Sequence, residues 1–249
     1  MSDESSSFLK KHQLRLVDTS NMYWILFIGT LLMGLWAQAK VKGAYRRQSQ
    51  IRAHNGYSGA QVASQMLQRA GIQDVSIKMQ RGMLSDHYDP TRKRLVLSEE
   101  NYLGTSVAAI AVAAHECGHA LQHQQAYQPL NIRMASVGIT SIANGMLTWL
   151  MIGALFLGLI PIQLALPLLV GCWGIIMAFN LITLPVEFDA SRRAKVMLTE
   201  MGFTATATEE RGVSEVLNAA AWTYVAAFIT SLAYFLYYLL PLLTGRSDD

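Results

Sequence analysis

The sequence HECGH, residues 115 to 119, ends the alanine-rich run from Val107 to Ala114 and is an HExxH motif. Two histidines four positions apart lie on the same side of a helix, so the imidazoles of His115 and His119 can converge on one metal ion. The glutamate between them, Glu116, then reaches a water bound to that ion. The motif predicts a Zn²⁺ site for hydrolysis, with the histidines as ligands and Glu116 as general base; the alternative is a polar turn on an exposed helix.

This motif is predicted to lie on a helix. Ser106 can cap the N-terminus of that helix, and Val107, Ile110 and Ala114 recur at helical spacing. Gly118 weakens a helix by about 1 kcal/mol relative to alanine, so a glycine beside the second histidine predicts that another segment packs closely on the backbone there. Cys117 points away from the histidine pair and is not expected to bind the metal.

The composition is too apolar for an ordinary soluble domain. Of the 249 residues, 52% are hydrophobic and only 15% are charged, and the mean hydropathy is +0.25. Two cysteines do not make a disulfide framework. The net charge of +3 is small, and the basic residues form no stripe with interleaved aromatic residues, so nucleic acid is not an expected partner. The expected partner is the lipid bilayer.

Four uncharged, apolar segments are long enough to cross a bilayer, and two of them are joined at Pro161 as a helical hairpin. The predicted fold is a mainly α membrane protein with about four transmembrane helices and a small α+β domain, in which a short sheet packs on the HExxH helix. The predicted division is a polar N-terminal tail at 1–21, a first span at 22–39, the domain with the HExxH helix at 40–135, the hairpin at 136–184, a helix that carries the third ligand and a connecting segment at 185–218, a last span at 219–243 and a tail at 244–249.

Residues 40–135 contain the stretch that resembles a soluble domain. A helix is predicted from Ser58 to Gly71, and alternating apolar and polar residues predict strands at residues 75–79 and 94–97. The Asp89-Pro90 dipeptide between the strands marks a turn. An edge of such a sheet can hold an extended substrate by main-chain pairing, and this hairpin is the candidate for that edge.

Glu187 is the candidate for the third metal ligand. It follows the hairpin, so it lies on the side of the membrane that carries the HExxH helix, and Pro185 is expected to begin its helix. A catalytic zinc site has three protein ligands and one open position, which a carboxylate from a second helix completes. Asp189 is expected to orient a ligand histidine or to pair with Arg192 or Arg193, although charged residues at a membrane border are otherwise simply solvated.

His123, His87 and Tyr88 are further candidates near the site. His123 lies one turn beyond His119 but roughly 12 Å along the helix from His115, too far for one ion to bind all three. It is expected to contact substrate, to support a ligand, or to be a surface residue. Tyr88, His87 or His123 can donate to the oxyanion that forms during peptide hydrolysis, and the sequence does not choose among them.

Lysine and arginine are more numerous on the side of the spans that carries the HExxH helix. By the positive-inside rule, this side is expected to face the cytoplasm. The residues counted there are Lys40, Lys42, Arg46, Arg47, Arg133, Arg192, Arg193, Lys195 and Arg211, against Lys10, Lys11, Arg15 and Arg246 on the other side.

Three motifs closely resemble those of the bacterial YugP-type neutral zinc metallopeptidase family: LSDHYDP at 84–90, VAAHECGHALQH at 112–123 and LPVEFDAS at 184–191. The likeness extends from the first span to the last. This family is similar to membrane gluzincins such as HtpX and the CAAX prenyl proteases. The resemblance implies a multi-pass protein of the bacterial cell membrane, a gluzincin-like protease domain, Zn²⁺ bound by His115, His119 and Glu187, and peptides or membrane proteins as substrates. In many gluzincins an aspartate four residues after the ligand glutamate orients a histidine, whereas Ser191 holds that place here.

Two other functions remain open beside a zinc endopeptidase at the cytoplasmic membrane face. HExGH also begins the site-2 protease motif, and Asn180, Pro185 and Asp189 loosely match its second element, which would make Asp189 the ligand of a site within the bilayer. Against this, the apolar run before His115 is too short to span. The third function is a non-catalytic zinc-binding scaffold or quality-control protein, whose closed site would need a fourth ligand such as His123 or Asp189.

Overall fold

Seven helices and three strands make up the described structure. The computed structural model describes residues 2–54, 56–82 and 85–244, so the predicted tail from residue 245 onward, with Arg246, lies outside it. The helices are α1 (Ser2–Gln48), α2 (Gly59–Arg69), α3 (Glu99–Leu103), α4 (Val107–Gln124), α5 (Gln128–Leu150, continued by a π-helical turn at Met151–Phe156), α6 (Ile162–Glu200) and α7 (Ala207–Leu243), and the strands are β1 (Ser76–Gln80), β2 (His87–Asp89) and β3 (Arg94–Ser98).

Helices α1, α5, α6 and α7 each contain a stretch long and apolar enough to cross a membrane. Helix α6 packs against both α5 and α7, and α1 packs against α7. Large apolar side chains such as Ile25, Trp149 and Leu164 are exposed on the outer faces, where lipid is the expected solvent. These features confirm the predicted mainly α membrane protein with four spans and a small α+β domain.

Two of the long helices continue through positions where the sequence predicts a break. Pro185 was expected to begin a new helix, but α6 runs through both Pro167 and Pro185. Proline removes one intrahelical hydrogen bond, and a membrane helix tolerates this loss when neighbouring helices support it. Helix α7 likewise joins the segment before Ala219 to the last span. Glu187 is therefore held on a continuous extension of a span rather than on a separate helix.

Helix α2 begins and ends as predicted. The Ser58 side chain accepts from the backbone N–H of Gln61, and the Gln61 side chain accepts from the N–H of Ser58, which forms a capping box. Gly71 follows the helix with a φ of +71°, the left-handed conformation that favours glycine at a helix C-terminus. Val62 and Met66 lie in the core that α2 shares with α4, so this cap fixes one wall of the domain.

The sheet has the strand order β1-β3-β2. Strand β1 runs parallel to β3, and β2 runs antiparallel to β3. The two predicted strands are present, but the predicted hairpin between them is wrong, because they run parallel. The hairpin is formed by β2 and β3 instead, and β2 lies in a segment that the sequence predicts as part of a turn. Strand β2 is at the edge of the sheet and also contacts α4, which brings His87 and Tyr88 next to the HExxH helix.

Helix α4 is the centre of the small domain and connects it to the spans. The Ser106 side chain accepts from the backbone N–H of Ala109, as predicted for an N-cap. The alanine-rich faces of α4 are buried, and the helix contacts α2, α6 and α7. Helices α4 and α6 approach closely at Gly118, where a Cβ atom would lie 2.5 Å from the carbonyl oxygen of Ala190 in α6. This contact is the reason for the glycine beside the second histidine.

The variant Gly118→Ala should lower the free energy of unfolding by about 1 to 3 kcal/mol, because its methyl group forces α4 and α6 apart. Since Glu187 is on α6, zinc affinity should fall as well. Thermal unfolding of the detergent-solubilised protein with and without zinc measures both effects. Gly138→Ala is the matched control, because a Cβ atom at Gly138 of α5 meets nothing within 4 Å. Equal stability of the two variants would contradict this helix packing.

Candidate metal centre

Three side chains from two helices converge on one point. The Nε2 atoms of His115 and His119 lie 3.2 Å and 3.5 Å from Oε2 of Glu187. The ligand atoms of the three residues are all within 4.8 Å of one another, and no other such group occurs in the described part of the chain. Helix α4 supplies both imidazoles and α6 supplies the carboxylate. One ion between the helices can therefore contact all three.

The donor set fits zinc. Two imidazole nitrogens and one carboxylate oxygen are typical protein ligands of a catalytic zinc site, which keeps one position open for water. Burial disfavours a proton on His119, but the adjacent Glu187 carboxylate outweighs it and raises the pKa of this histidine above its ordinary value. A site that stabilises a proton on a buried imidazole also attracts a metal cation.

The second nitrogen of each histidine contacts a polar side chain. Nδ1 of His115 lies 3.1 Å from Oγ of Ser191, and Nδ1 of His119 lies 3.1 Å from Oε1 of Gln122. An amide oxygen can only accept, so Nδ1 of His119 carries the proton and the lone pair of Nε2 points to the metal position. The Ser191 hydroxyl can accept from His115 in the same way.

Asp189 reaches the site through Gln122. The amide nitrogen of Gln122 donates to the carbonyl oxygen of Val186 at 2.8 Å and to Oδ2 of Asp189 at 3.0 Å, which directs the amide oxygen towards the ligand histidine. The carboxylate of Asp189 also forms ion pairs with Arg192 and Arg193. Asp189 is outside the group of residues placed to hold a metal.

Glu116 lies in a cavity of about 280 Å³ that His115, His119 and Glu187 also line. It is 8% exposed and does not belong to the metal-binding group, so its carboxylate is available to a water or a substrate. The other walls of the cavity are formed by Asp86, His87, Tyr88 and Pro90 of the sheet region, by Leu130, Arg133, Met134 and Val137 of α5, and by Tyr224 of α7.

The remaining candidates from the sequence lie on β2 and at the end of α4. The hydroxyl of Tyr88 is 2.9 Å from Nδ1 of His123, which is outside the metal-binding group. Burial and nearby carboxylates raise the pKa of Tyr88 to about 12, so the phenol stays protonated at neutral pH. His87 lines the cavity, and its Nδ1 lies 2.8 Å from the carbonyl oxygen of Ser85.

Three residues at the site were not singled out from the sequence: Gln122, Arg133 and Tyr224. Gln122 is one helical turn beyond His119, so helical spacing would have been enough to identify it. Arg133 and Tyr224 reach the cavity from α5 and α7, and no local pattern marks them. Nη1 of Arg133 lies 3.5 Å from Oε1 of Glu187.

Comparisons with known proteins agree with a zinc site in a membrane protein. Residues 23–243 match the family described as "Putative neutral zinc metallopeptidase". The chain is 41% identical over 228 residues to the protein named "Putative membrane protease YugP" from Bacillus subtilis (strain 168), which covers 92% of this chain and 100% of that protein. No solved structure matches the chain. The family match includes all of the residues that line the cavity.

Proposed function

Because the chain belongs to the neutral zinc metallopeptidase family, we propose that it is a membrane-embedded zinc endopeptidase whose metal is held by His115, His119 and Glu187. The observation that carries the proposal is the meeting of the three ligand atoms within 4.8 Å of one another, although Glu187 and His115 are 72 positions apart in the sequence. Two histidines of one helix and a carboxylate from another form the ligand set of a catalytic zinc site.

The reaction follows from the side chains of the cavity. Bound zinc supplies Lewis acidity, which lowers the pKa of a water towards 7 and polarises a substrate carbonyl. Glu116 accepts a proton from the attacking water while the new C–O bond forms and the carbonyl oxygen gains a negative charge. Glu116 then gives this proton to the amide nitrogen as the C–N bond breaks, which yields a carboxylic acid and an amine. Ser191 and Gln122 keep Nε2 of each histidine directed at the ion.

The site is proposed to work at the membrane surface. Nζ of Lys40 lies 4.9 Å and 5.0 Å from the ring centres of Trp36 and Trp222, and tryptophan and lysine side chains of this kind are typical of the headgroup region. Trp222 is only two positions from Tyr224, which lines the cavity. Peptide bonds of membrane proteins close to the bilayer are therefore the substrates within reach.

An extended peptide is proposed to bind along β2. The sheet order leaves one edge of β2 without a partner strand in the described structure, and Tyr88 of this strand lines the cavity. Main-chain pairing at that edge would bring a scissile carbonyl beside Glu116. Leu130, Met134 and Val137 of α5 form an apolar wall across the cavity, which suits an apolar substrate side chain.

Removal of the metal should abolish peptide hydrolysis, and addition of zinc should restore it. The measurement is cleavage of β-casein by the detergent-purified protein, before and after treatment with 1,10-phenanthroline and after dialysis into zinc. Magnesium serves as the control, because it prefers oxygen ligands and should restore nothing. Zinc-loaded protein that cleaves neither β-casein nor membrane-protein substrates would support the non-catalytic scaffold instead.

We further infer that the cavity faces the cytoplasm of a bacterial cell, as the excess of Lys and Arg on its side of the spans suggests. The test uses a single cysteine at Arg69, which is exposed on α2, in a background with Cys117→Ala and Cys172→Ala. A membrane-impermeant maleimide should label this cysteine only after the cells are permeabilised. Labelling of intact cells would mean that the cavity faces the outside of the cell.

A further inference from the structure

Arg133 is a charged residue of the cavity that the mechanism above does not use. It lies on the second turn of α5, and its side chain is 30% exposed. The two oxygens of Glu187 have different partners. Oε2 faces the Nε2 atoms of His115 and His119, whereas Oε1 lies 3.5 Å from Nη1 of Arg133. The guanidinium therefore lies beside the Glu187 carboxylate, at the oxygen that does not face the histidines.

We propose that Arg133 is a catalytic residue that donates hydrogen bonds to the substrate carbonyl oxygen as that oxygen gains negative charge. This rests on the proposed function, because both concern the same cavity. A guanidinium has five N–H donors in a planar fork, and the contact with Glu187 uses the Nη1 side of it. Donors remain on the other nitrogens for a substrate oxygen.

The charge of the cavity favours this role. The side chains of Glu116 and Glu187 are both buried, and both carboxylates lie in the cavity where zinc is proposed to bind. Asp86 also lines the cavity, but its carboxylate already accepts from the backbone N–H and the hydroxyl of Ser98. Attack moves one negative charge from the Glu116 carboxylate, which takes the proton of the water, to the carbonyl oxygen. The cavity holds little water, so an unpaired charge on that oxygen is costly. Among the residues that line the cavity, Arg133 is the permanently cationic one, so it can balance the negative charge that moves to the carbonyl oxygen.

Each donor suggested by the sequence already has one polar partner within the protein. The hydroxyl of Tyr88 is paired with Nδ1 of His123 at 2.9 Å, and Nδ1 of His87 is paired with the carbonyl oxygen of Ser85 at 2.8 Å. Where the paired atom is the donor, it must give up that bond before the same proton can stabilise a substrate oxygen. Arg133 can keep its contact with Glu187 and donate through another nitrogen at the same time.

The test compares Arg133→Ala and Arg133→Lys with Arg69→Ala, which removes an exposed arginine of α2 that does not line the cavity. A fluorogenic peptide based on a cleavage site found in β-casein gives kcat and KM, and competition with a chelator gives the zinc dissociation constant. We expect kcat of Arg133→Ala to fall about 10²- to 10³-fold, as for loss of one oxyanion donor, with KM and zinc affinity close to wild type. Arg133→Lys keeps the positive charge but not the planar set of N–H donors, so its kcat should lie between those of the wild type and Arg133→Ala. Added guanidinium should restore part of the Arg133→Ala activity.

Three results would overturn the role of Arg133. Zinc affinity that falls in step with kcat would make Arg133 a positioning residue for Glu187. A change confined to KM for peptides with a free C-terminus would mean that Arg133 binds the terminal carboxylate. Full activity of both Arg133 variants beside an active wild type would reject the role directly. If the zinc-loaded wild type cleaves nothing, the proposed function fails first, so the two failures are distinguishable.

Discussion

Replacement of Glu116 by glutamine should lower kcat by about 10²- to 10⁴-fold, the range that a positioned general base contributes. The amide has the shape of the carboxylate but cannot take the proton of the attacking water. Glu116 lies in the cavity but outside the metal-binding group, so the variant should still bind zinc like the wild type. Peptide cleavage and zinc content, measured on the same preparation, check the two halves of the expectation.

The matched control is Glu99→Gln, which makes the same chemical change at an exposed position of α3 and should leave activity unchanged. Full activity of Glu116→Gln would exclude Glu116 as the base. Loss of zinc together with activity would mean instead that this carboxylate helps to hold the metal or the fold. An inactive, zinc-loaded Glu116→Gln protein would also retain uncleaved substrates, which cross-linking in the membrane could capture for identification.

The features that the sequence predicts correctly are those that depend on local spacing. The caps at Ser58 and Ser106 need only neighbouring residues, and both make the expected side-chain bonds. The four spans follow from the length of the apolar runs, because a helix needs a minimum number of apolar residues to cross a bilayer. The contact at Gly118 was also predictable, since a glycine in a helix needs a reason and close packing is a common one.

The features that it misses depend on contacts between distant segments. Strand β2 has three residues next to an Asp-Pro turn, and only its pairing with β3 makes it a strand. Proline is favoured at the first turn of a helix, which is why Pro185 predicts that a helix begins there. Helix α6 instead runs through Pro185, because its packing on α5 and α7 outweighs this preference. Arg133 and Tyr224 enter the cavity because three spans meet there, which no window of sequence contains.

The third ligand could be predicted from the sequence only in part. A helical hairpin must return the chain to the side it left, which limits the third ligand to the segment after the hairpin. That argument does not decide between Glu187 and Asp189, which are two positions apart on α6. The geometry favours Glu187, whose Oε2 atom is 3.2 Å from Nε2 of His115, over Asp189, whose carboxylate bonds with Gln122 and two arginines.

Glu187→Ala should therefore lose its zinc, and Asp189→Ala should keep zinc with an affinity lowered by about 10- to 100-fold, as for an outer partner of a ligand histidine. Asp189 reaches His119 through the amide of Gln122, whereas Glu187 itself offers an oxygen atom to the proposed metal position. Zinc titration against a chelator measures both variants. The reverse order, with zinc lost in Asp189→Ala and kept in Glu187→Ala, is what the site-2 type of site predicts.

Gln122→Leu tests the route by which Asp189 acts. It removes the amide that joins Asp189 to Nδ1 of His119, so it should weaken zinc binding by an amount similar to that of Asp189→Ala. The double variant should bind zinc no more weakly than either single variant, because both changes break the same connection. If the decreases add instead, Asp189 also supports the site through its ion pairs with Arg192 and Arg193. Arg193 in turn donates to Gln125 at the end of α4, which joins the two helices.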